Sequence, residues 1–219
     1  MNDKNIIKFL KDRNIDIVIK KNKKNNEKDD IEVKTNNHLN ILKEFHEISM
    51  NSNEFYSLAL TSSIWHEIEE LKVWNKRAKN IINSKDIRIN YIKKAEKCIN
   101  EIYEIDYSSL IKRAMKRKEL CIGKPYESNL WKEFNLKISD ISRLNFNMIE
   151  IDYYKYLSRL KKKNNTLYWN DIIENIIITE KLDNKSYMFL KALLNYPYEE
   201  MKSLQKEYLN NIKKIYMKI

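Results

Sequence analysis

Glycine is almost missing from this sequence: among 219 residues there is one, Gly123. A phosphate-cradling loop of the G-x-x-x-x-G-K-[ST] type needs two glycines, as does a G-x-S-x-G nucleophile elbow, and a dinucleotide fingerprint needs three, so all three are excluded. Tight hairpins with two residues at positive φ lean on glycine, which argues against a large antiparallel β architecture. Proline occurs twice, leaving few obligatory helix breaks. The two cysteines, Cys98 and Cys121, are too few for a disulfide framework and read as buried thiols. No run of about eighteen apolar residues is present, so no transmembrane helix is expected. The N-terminus, Met1-Asn2-Asp3-Lys4, lacks the apolar core of a secretory signal.

What is there is a chain of 42% hydrophobic and 33% charged residues, with a formal net charge of +11. That charge raises the question of a nucleic-acid partner. The lysines are spread along the chain, however, and alternate with glutamates, as in Lys93-Lys94-Ala95-Glu96-Lys97. The densest groups are Lys20 to Lys28 and Lys161-Lys162-Lys163. A solvated coat is the expectation, and a basic helical nucleic-acid-binding protein the rival.

Residues 1–40 differ from the rest. Ile6, Ile7, Phe9 and Leu10 suit a short helix, Ile15 to Ile19 a strand, Asn22 to Asp30 a polar loop, and Ile31-Glu32-Val33 a second strand closing a hairpin. From His38 the spacing is helical. Leu39, Leu42, Phe45 and His46 share a face, and Ile64, Ile68, Leu71, Trp74, Ala78 and Ile81 keep three-and-four spacing. Tyr91, Ile92, Ala95, Ile99, Ile102 and Tyr103 form the next stripe, and Leu110, Ile111, Ala114 and Met115 the one after. Residues 119–144 lose this periodicity and hold Gly123 and Pro125, with a short strand expected over 136–141. Helices follow around 150–162, 168–179 and 185–195, and a last one begins after Pro197. Its Met201, Leu204, Tyr208, Ile212 and Ile215 form a stripe. Trp65, Leu71, Trp74, Ile92, Ile99 and Leu204 are expected to be buried.

Side-chain chemistry is sparse. His38, His46 and His66 lack metal-ligand spacing. Ser62 and Ser63 lie near His66 without an orienting acid, so no nucleophile is assigned. The aromatic residues fall mostly on the stripes and read as core rather than as base-stacking platforms.

A family resemblance emerges from ordered segments: Leu42-Lys43-Glu44-Phe45-His46-Glu47-Ile48-Ser49, Trp65-His66-Glu67-Ile68, Leu71 to Ala78, Asp106 to Ala114, Glu119-Leu120-Cys121 and Phe189 to Pro197. Together, over residues 39–219, they resemble the CotS-type spore-coat proteins. That family is a branch of the aminoglycoside-phosphotransferase and choline-kinase-like superfamily. The resemblance implies a mostly α fold: a protein-kinase-like, aminoglycoside-phosphotransferase-type helical C-lobe over 39–219 with a minimal β element. Residues 1–38 would be a reduced, vestigial N-lobe segment, partly flexible.

In that family a loop of the form Cys-His-x-Asp, four residues, Asn precedes a strand ending in Ile-Asp-x-Asp. Aligned on Cys121, Ile122 stands at the His position and Lys124 at the base position. Asn129 falls on the magnesium-binding Asn, Asp140 on the first metal-binding Asp, Ser142 at the second acid, and Asp152 on a later structural Asp. Asn129 and Asp140 are thus remnant metal positions, expected to hold none. Lysine offers no carboxylate to accept the hydroxyl proton, so no catalytic residue is assigned. Lys20 and Lys21 after Ile17-Val18-Ile19 resemble V-A-I-K, but the sheet that motif needs is not expected from so short a region before Phe45. The implied function is non-catalytic: a pseudokinase-like protein made in the cytoplasm of a sporulating mother cell and then held in the spore coat. It would bind other coat proteins, with no cofactor, membrane or nucleic acid. A phosphotransferase using Mg-ATP is the alternative within the same resemblance.

Overall fold

Helix-forming stripes account for nearly all the regular structure. The computed structural model describes residues 3–18, 31–50, 66–83, 85–163 and 167–216. Short α1 (Asp3–Lys11) leads through a turn at Asn14 into β1 (Ile15–Ile17). Four helices follow: α2 (Ile31–Ser49), α3 (His66–Lys79), α4 (Ile89–Glu104) and α5 (Tyr107–Arg117). Then come the short strands β2 (Leu120–Cys121), β3 (Leu130–Lys132), β4 (Leu136–Ile138) and β5 (Asn145–Phe146). Four more helices close the chain: α6 (Ile149–Lys163), α7 (Trp169–Thr179), α8 (Asn184–Asn195) and α9 (Tyr198–Tyr216).

The stripes meet in one core. Leu39, Leu42 and Phe45 of α2, Leu71 and Trp74 of α3, Ile92 and Ile99 of α4, and Met201 and Leu204 of α9 are all buried in it. Trp74 packs on Tyr198 with ring centroids 5.2 Å apart. Tyr91, Tyr103 and Met115, expected on the buried stripes, are instead exposed. Each is one residue, or about 100°, from a buried position (Ile92, Ile102, Ala114), which turns it to the helix flank. Tyr208 and Ile212 are only half-buried. Ile64 and Trp65 lie outside the described residues, as do Ile19, the 20–28 lysine cluster with Lys20 and Lys21, the expected loop at 22–30, and Ser62 and Ser63.

Two sheets form. One has the order β1-β4-β3, with β1 parallel and β3 antiparallel to β4; the other pairs β2 with β5. The expected hairpin between residues 15–19 and 31–33 is not formed. Ile31, Glu32 and Val33 are the first turn of α2. β1 instead aligns Ile15 with Leu136 and Ile17 with Ile138, and Val18 N–H extends the ladder to the Ile138 carbonyl (2.9 Å). This seats Ile6, Phe9, Leu10 and Ile15 in the common core. The expected division between residues 38 and 39 lies inside α2, a continuous helix.

Shortage of glycine leaves its mark on the turns. Asn14, Asp106, Lys118 and Lys181 all take positive φ between 52° and 58°, where a Cβ is crowded. Lys118 there closes α5, its N–H donating to the Ala114 and Met115 carbonyls. No helix among the described residues is long and apolar enough to cross a membrane.

Candidate functional site

The aperiodic stretch from 119 to 148 folds as a loop pinned from below by α2 and α6. Gly123 sits in its middle at φ +71°, under Arg143: a Cβ placed there would lie 2.2 Å from the Arg143 carbonyl oxygen. Here alone the sequence spends its glycine, because two backbone segments cross without room for a side chain.

Asp152, in the first turn of α6, fixes the loop start. Its Oδ2 accepts from Ile122 N–H (2.8 Å) and its Oδ1 from Gly123 N–H (3.0 Å). Behind it lies His46 of α2, fully buried between two carboxylates. Its Nε2 is 3.3 Å from Asp152 Oδ2 and its Nδ1 3.0 Å from Glu180 Oε1. Burial alone would lower the pKa of this imidazole, but the hydrogen bonds and charges of Asp152 and Glu180 win and raise it to about 9. His46 is therefore a cation at neutral pH. Burial pushes Glu180 the other way, yet the bond from His46 prevails and holds its pKa below the usual carboxylate value. Tyr153 O–H also donates to Glu180.

The far side of the loop is pinned separately. His38 Nε2–H donates to the Pro125 carbonyl (2.9 Å), and its ring lies 4.6 Å from that of Tyr156. Burial lowers its pKa, so His38 is neutral. Tyr156 O–H donates to Glu127 (3.0 Å).

The structure brings Lys124, Asn129 and Asp140 together. Lys124 Nζ pairs with Asp140 Oδ2, and Ser142 N–H donates to Asp140 Oδ1 (2.8 Å). The Lys124 bond and the two from Ser142 hold the Asp140 carboxyl well below its ordinary pKa. Asn129 is saturated. Its Oδ1 accepts from Asp140 N–H (2.7 Å) and Ser139 Oγ–H (2.9 Å), while its Nδ2 donates to the Lys124 and Asp140 carbonyls (3.1 Å each). A carboxamide has two acceptor and two donor positions, and all four are used. These residues do not fit a divalent cation: the ammonium stands against the only carboxylate, and the amide oxygen has no lone pair left to give. No group of three or more metal-ligating side chains gathers elsewhere among the described residues.

The remaining sequence candidates fall apart. His66 is exposed at the start of α3. Cys98 and Cys121 are buried free thiols, the latter donating to the Met148 carbonyl (3.2 Å). Sequence reading placed His46 on a buried face but missed its charge, and missed a second buried ion cluster. There Arg113 of α5 makes paired contacts to Glu119 (2.9 and 3.1 Å) and Glu150 (2.8 and 2.6 Å), and one to Ser186 (2.8 Å). Glu119 also accepts from Ile149 N–H (3.1 Å), tying the strand before the loop to the helix after it. The one available signal was a lone His or Arg on an otherwise apolar face.

No known family's sequence profile and no curated protein sequence matches the chain. Among solved structures, an aminoglycoside phosphotransferase from Alicyclobacillus acidocaldarius is similar, with a TM-score of 0.59 and 12% identity. The match covers 78% of this chain and 55% of that enzyme's chain, so the present sequence spans about half its length. At that identity the likeness is one of fold: this is a mostly helical, kinase-like lobe of the aminoglycoside-phosphotransferase type with a minimal β element.

Proposed function

We propose that this protein is a pseudokinase of the spore coat, working through protein–protein contacts rather than phosphate transfer. The observation that carries the first half is the Lys124–Asp140 ion pair. Phosphoryl transfer needs a carboxylate to orient the attacking hydroxyl and acidic or amide ligands to hold magnesium on the nucleotide. Here a cation stands at the base position and takes up the remaining carboxylate, and Asn129 is spent on the loop's own backbone. The loop keeps its shape through Asp152 and Gly123 while its reactive groups bind one another.

The spore-coat half rests on the ordered motifs that resemble CotS-type proteins, and other coat proteins are the proposed partners. The short α1–β1 segment docked on β4 is proposed to be what remains of an N-lobe. A second reading, a Mg-ATP phosphotransferase, draws on the adjacency of Asn129 and Asp140, and requires Asp140 to leave Lys124.

The test is phosphate transfer from Mg-ATP to amino- and hydroxyl-bearing small molecules, run beside calorimetric nucleotide titrations with and without magnesium. No turnover is expected, and none from the Lys124→Asp, Ile122→His double variant, in which Asn129 stays saturated. Turnover that vanishes in Asp140→Ala would overturn the pseudokinase reading. A fluorescent fusion should concentrate at the coat of the developing spore; diffuse signal throughout the mother cell would overturn the coat assignment.

A further inference from the structure

At the other end of α6, nine residues and about 14 Å along the axis from Asp152, the molecule holds a second polar feature. The last turn of α6 presents Lys161, the start of α7 Trp169, and the last two turns of α8 Lys191 and Leu194, around a depression of about 340 Å³. That is the size of a small-ligand site. Beyond Lys161 opens another of about 290 Å³, floored by Tyr154 and flanked by Tyr91 and Lys94. Lys161 and Leu194 line both, which makes the two one trough with an ammonium at its waist.

Two donors in this trough keep hydrogens without an acceptor among the described residues, Trp169 Nε1 its one and Lys161 Nζ two. Trp169 Nε1 is buried and makes no hydrogen bond, although buried indole N–H groups ordinarily find one. Lys161 Nζ donates once, to the neutral Leu194 carbonyl (2.8 Å) at the end of α8. An ammonium carries three hydrogens, so this capping contact leaves two. Burial and the like charge of Lys94 both hold the Lys161 pKa below the ordinary lysine value. Its neighbour Lys162 is neutralised by Glu199, whereas Lys161 has no carboxylate partner among the described residues. Asp171 lines the first depression and Glu199 and Glu200 the second; all three are exposed to water, and Glu199 is paired with Lys162. A half-buried cation beside a like charge and a bare buried N–H are both relieved by the same thing, an oxyanion. The aromatic walls, with Tyr168 79% exposed at the rim, suit an apolar or aromatic body attached to it.

We propose that this trough is a binding site for a small organic oxyanion, a phosphate monoester or carboxylate on an aromatic body, anchored by Lys161 and accepting a hydrogen bond from Trp169 Nε1. The site shares no residue with the Lys124–Asp140 loop and stands whether or not that loop is catalytic. It gives the lobe a ligand to sense without phosphate transfer.

The indole signals of ¹⁵N-labelled protein test it directly, with Trp169→Phe identifying the Trp169 signal. Phenyl phosphate, benzoate and inorganic phosphate are titrated in turn. The Trp169 signal should shift saturably in the millimolar range or tighter with at least one aryl anion, and which of the two binds better separates phosphate from carboxylate. Lys161→Gln keeps a donor for the Leu194 carbonyl while removing the charge; it should weaken binding about tenfold or more, with the other indole signals unmoved. Lys94→Met, on the exposed side of α4, should weaken it less and leaves the fold untouched. A Trp169 signal that stays still with all three probes overturns the proposal. So does a shift as large in Lys161→Gln and Lys94→Met as in the natural protein. Inorganic phosphate binding as well as phenyl phosphate would overturn the aromatic-body part.

Discussion

Gly123 and Arg143 cross so closely that a Cβ on the first would sit 2.2 Å from the carbonyl oxygen of the second. In a chain with one glycine, the residue is at the one loop whose backbone must pass beneath another strand of chain. Gly123→Ala therefore meets two penalties, a left-handed φ and a clash with backbone that cannot swing aside. Together these should cost about 2–5 kcal/mol. Urea unfolding of the variant measures it, and a loss below about 1 kcal/mol would mean the crossing is looser than described.

The two buried histidines predict a stability maximum in pH. His46 has its folded pKa raised from 6.5 to about 9, so its contribution is complete below pH 6.5 and is lost as pH climbs toward 9. That shift corresponds to on the order of 3 kcal/mol. His38 has its folded pKa lowered by burial, so stability is lost as pH falls below 6.5 and the unfolded chain takes up a proton that the folded one refuses. Stability should peak near neutrality. Denaturation between pH 5 and 9.5 should lose the alkaline decline in His46→Gln and the decline just below pH 6.5 in His38→Gln. An unchanged profile in either would sink its assignment.

Trp74 is a core anchor, packed on Tyr198 and 9% exposed. Trp74→Ala should cost about 3–5 kcal/mol. Differential scanning calorimetry should register a large fall in Tm; a change of a degree or two would show that α3 and α9 contact elsewhere.

Part of the basic charge is met on the surface. Lys72 pairs with Glu69, Lys79 with Glu96, Lys132 with Glu44 and Lys185 with Asp106. DNA affinity at physiological salt should then stay within roughly 10⁻⁴–10⁻⁶ M and show no sequence preference. A sub-micromolar, sequence-dependent complex in a fluorescence titration would favour the nucleic-acid rival.

Local order in the sequence translated well into structure, and long-range order did not. Spacing alone located α4, α5 and α6 through α9, because each buries a stripe that recurs every three or four residues. Ile31-Glu32-Val33 misled because two short β-branched runs across a polar gap look like a hairpin. The run is the opening of a nineteen-residue helix whose later Leu39, Leu42 and Phe45 decide its state. The three-residue β1 has its partner in β4, far along the chain, and no local pattern encodes that. Alignment on the family motif named Lys124, Asn129, Asp140 and Asp152; the structure sets Lys124 and Asn129 against Asp140, and Asp152 of α6 against the Ile122 and Gly123 N–H groups. The pairing of His46 with Glu180, 134 residues away, was beyond a reading that sees periodicity but not which charges meet.

The pairing of Ile15 with Leu136 has a consequence for biosynthesis. A nascent chain leaves the ribosome N-terminus first, and β1 then waits for a partner 121 residues downstream (136 less 15). At about 5–20 residues per second that delay is roughly 6–24 s. For all of it Ile6, Phe9, Leu10 and Ile15 have no sheet to cover them. Residues 3–18 thus stay without their sheet until β4 has emerged, and over that interval they are the part of the newborn polypeptide that a chaperone would shield.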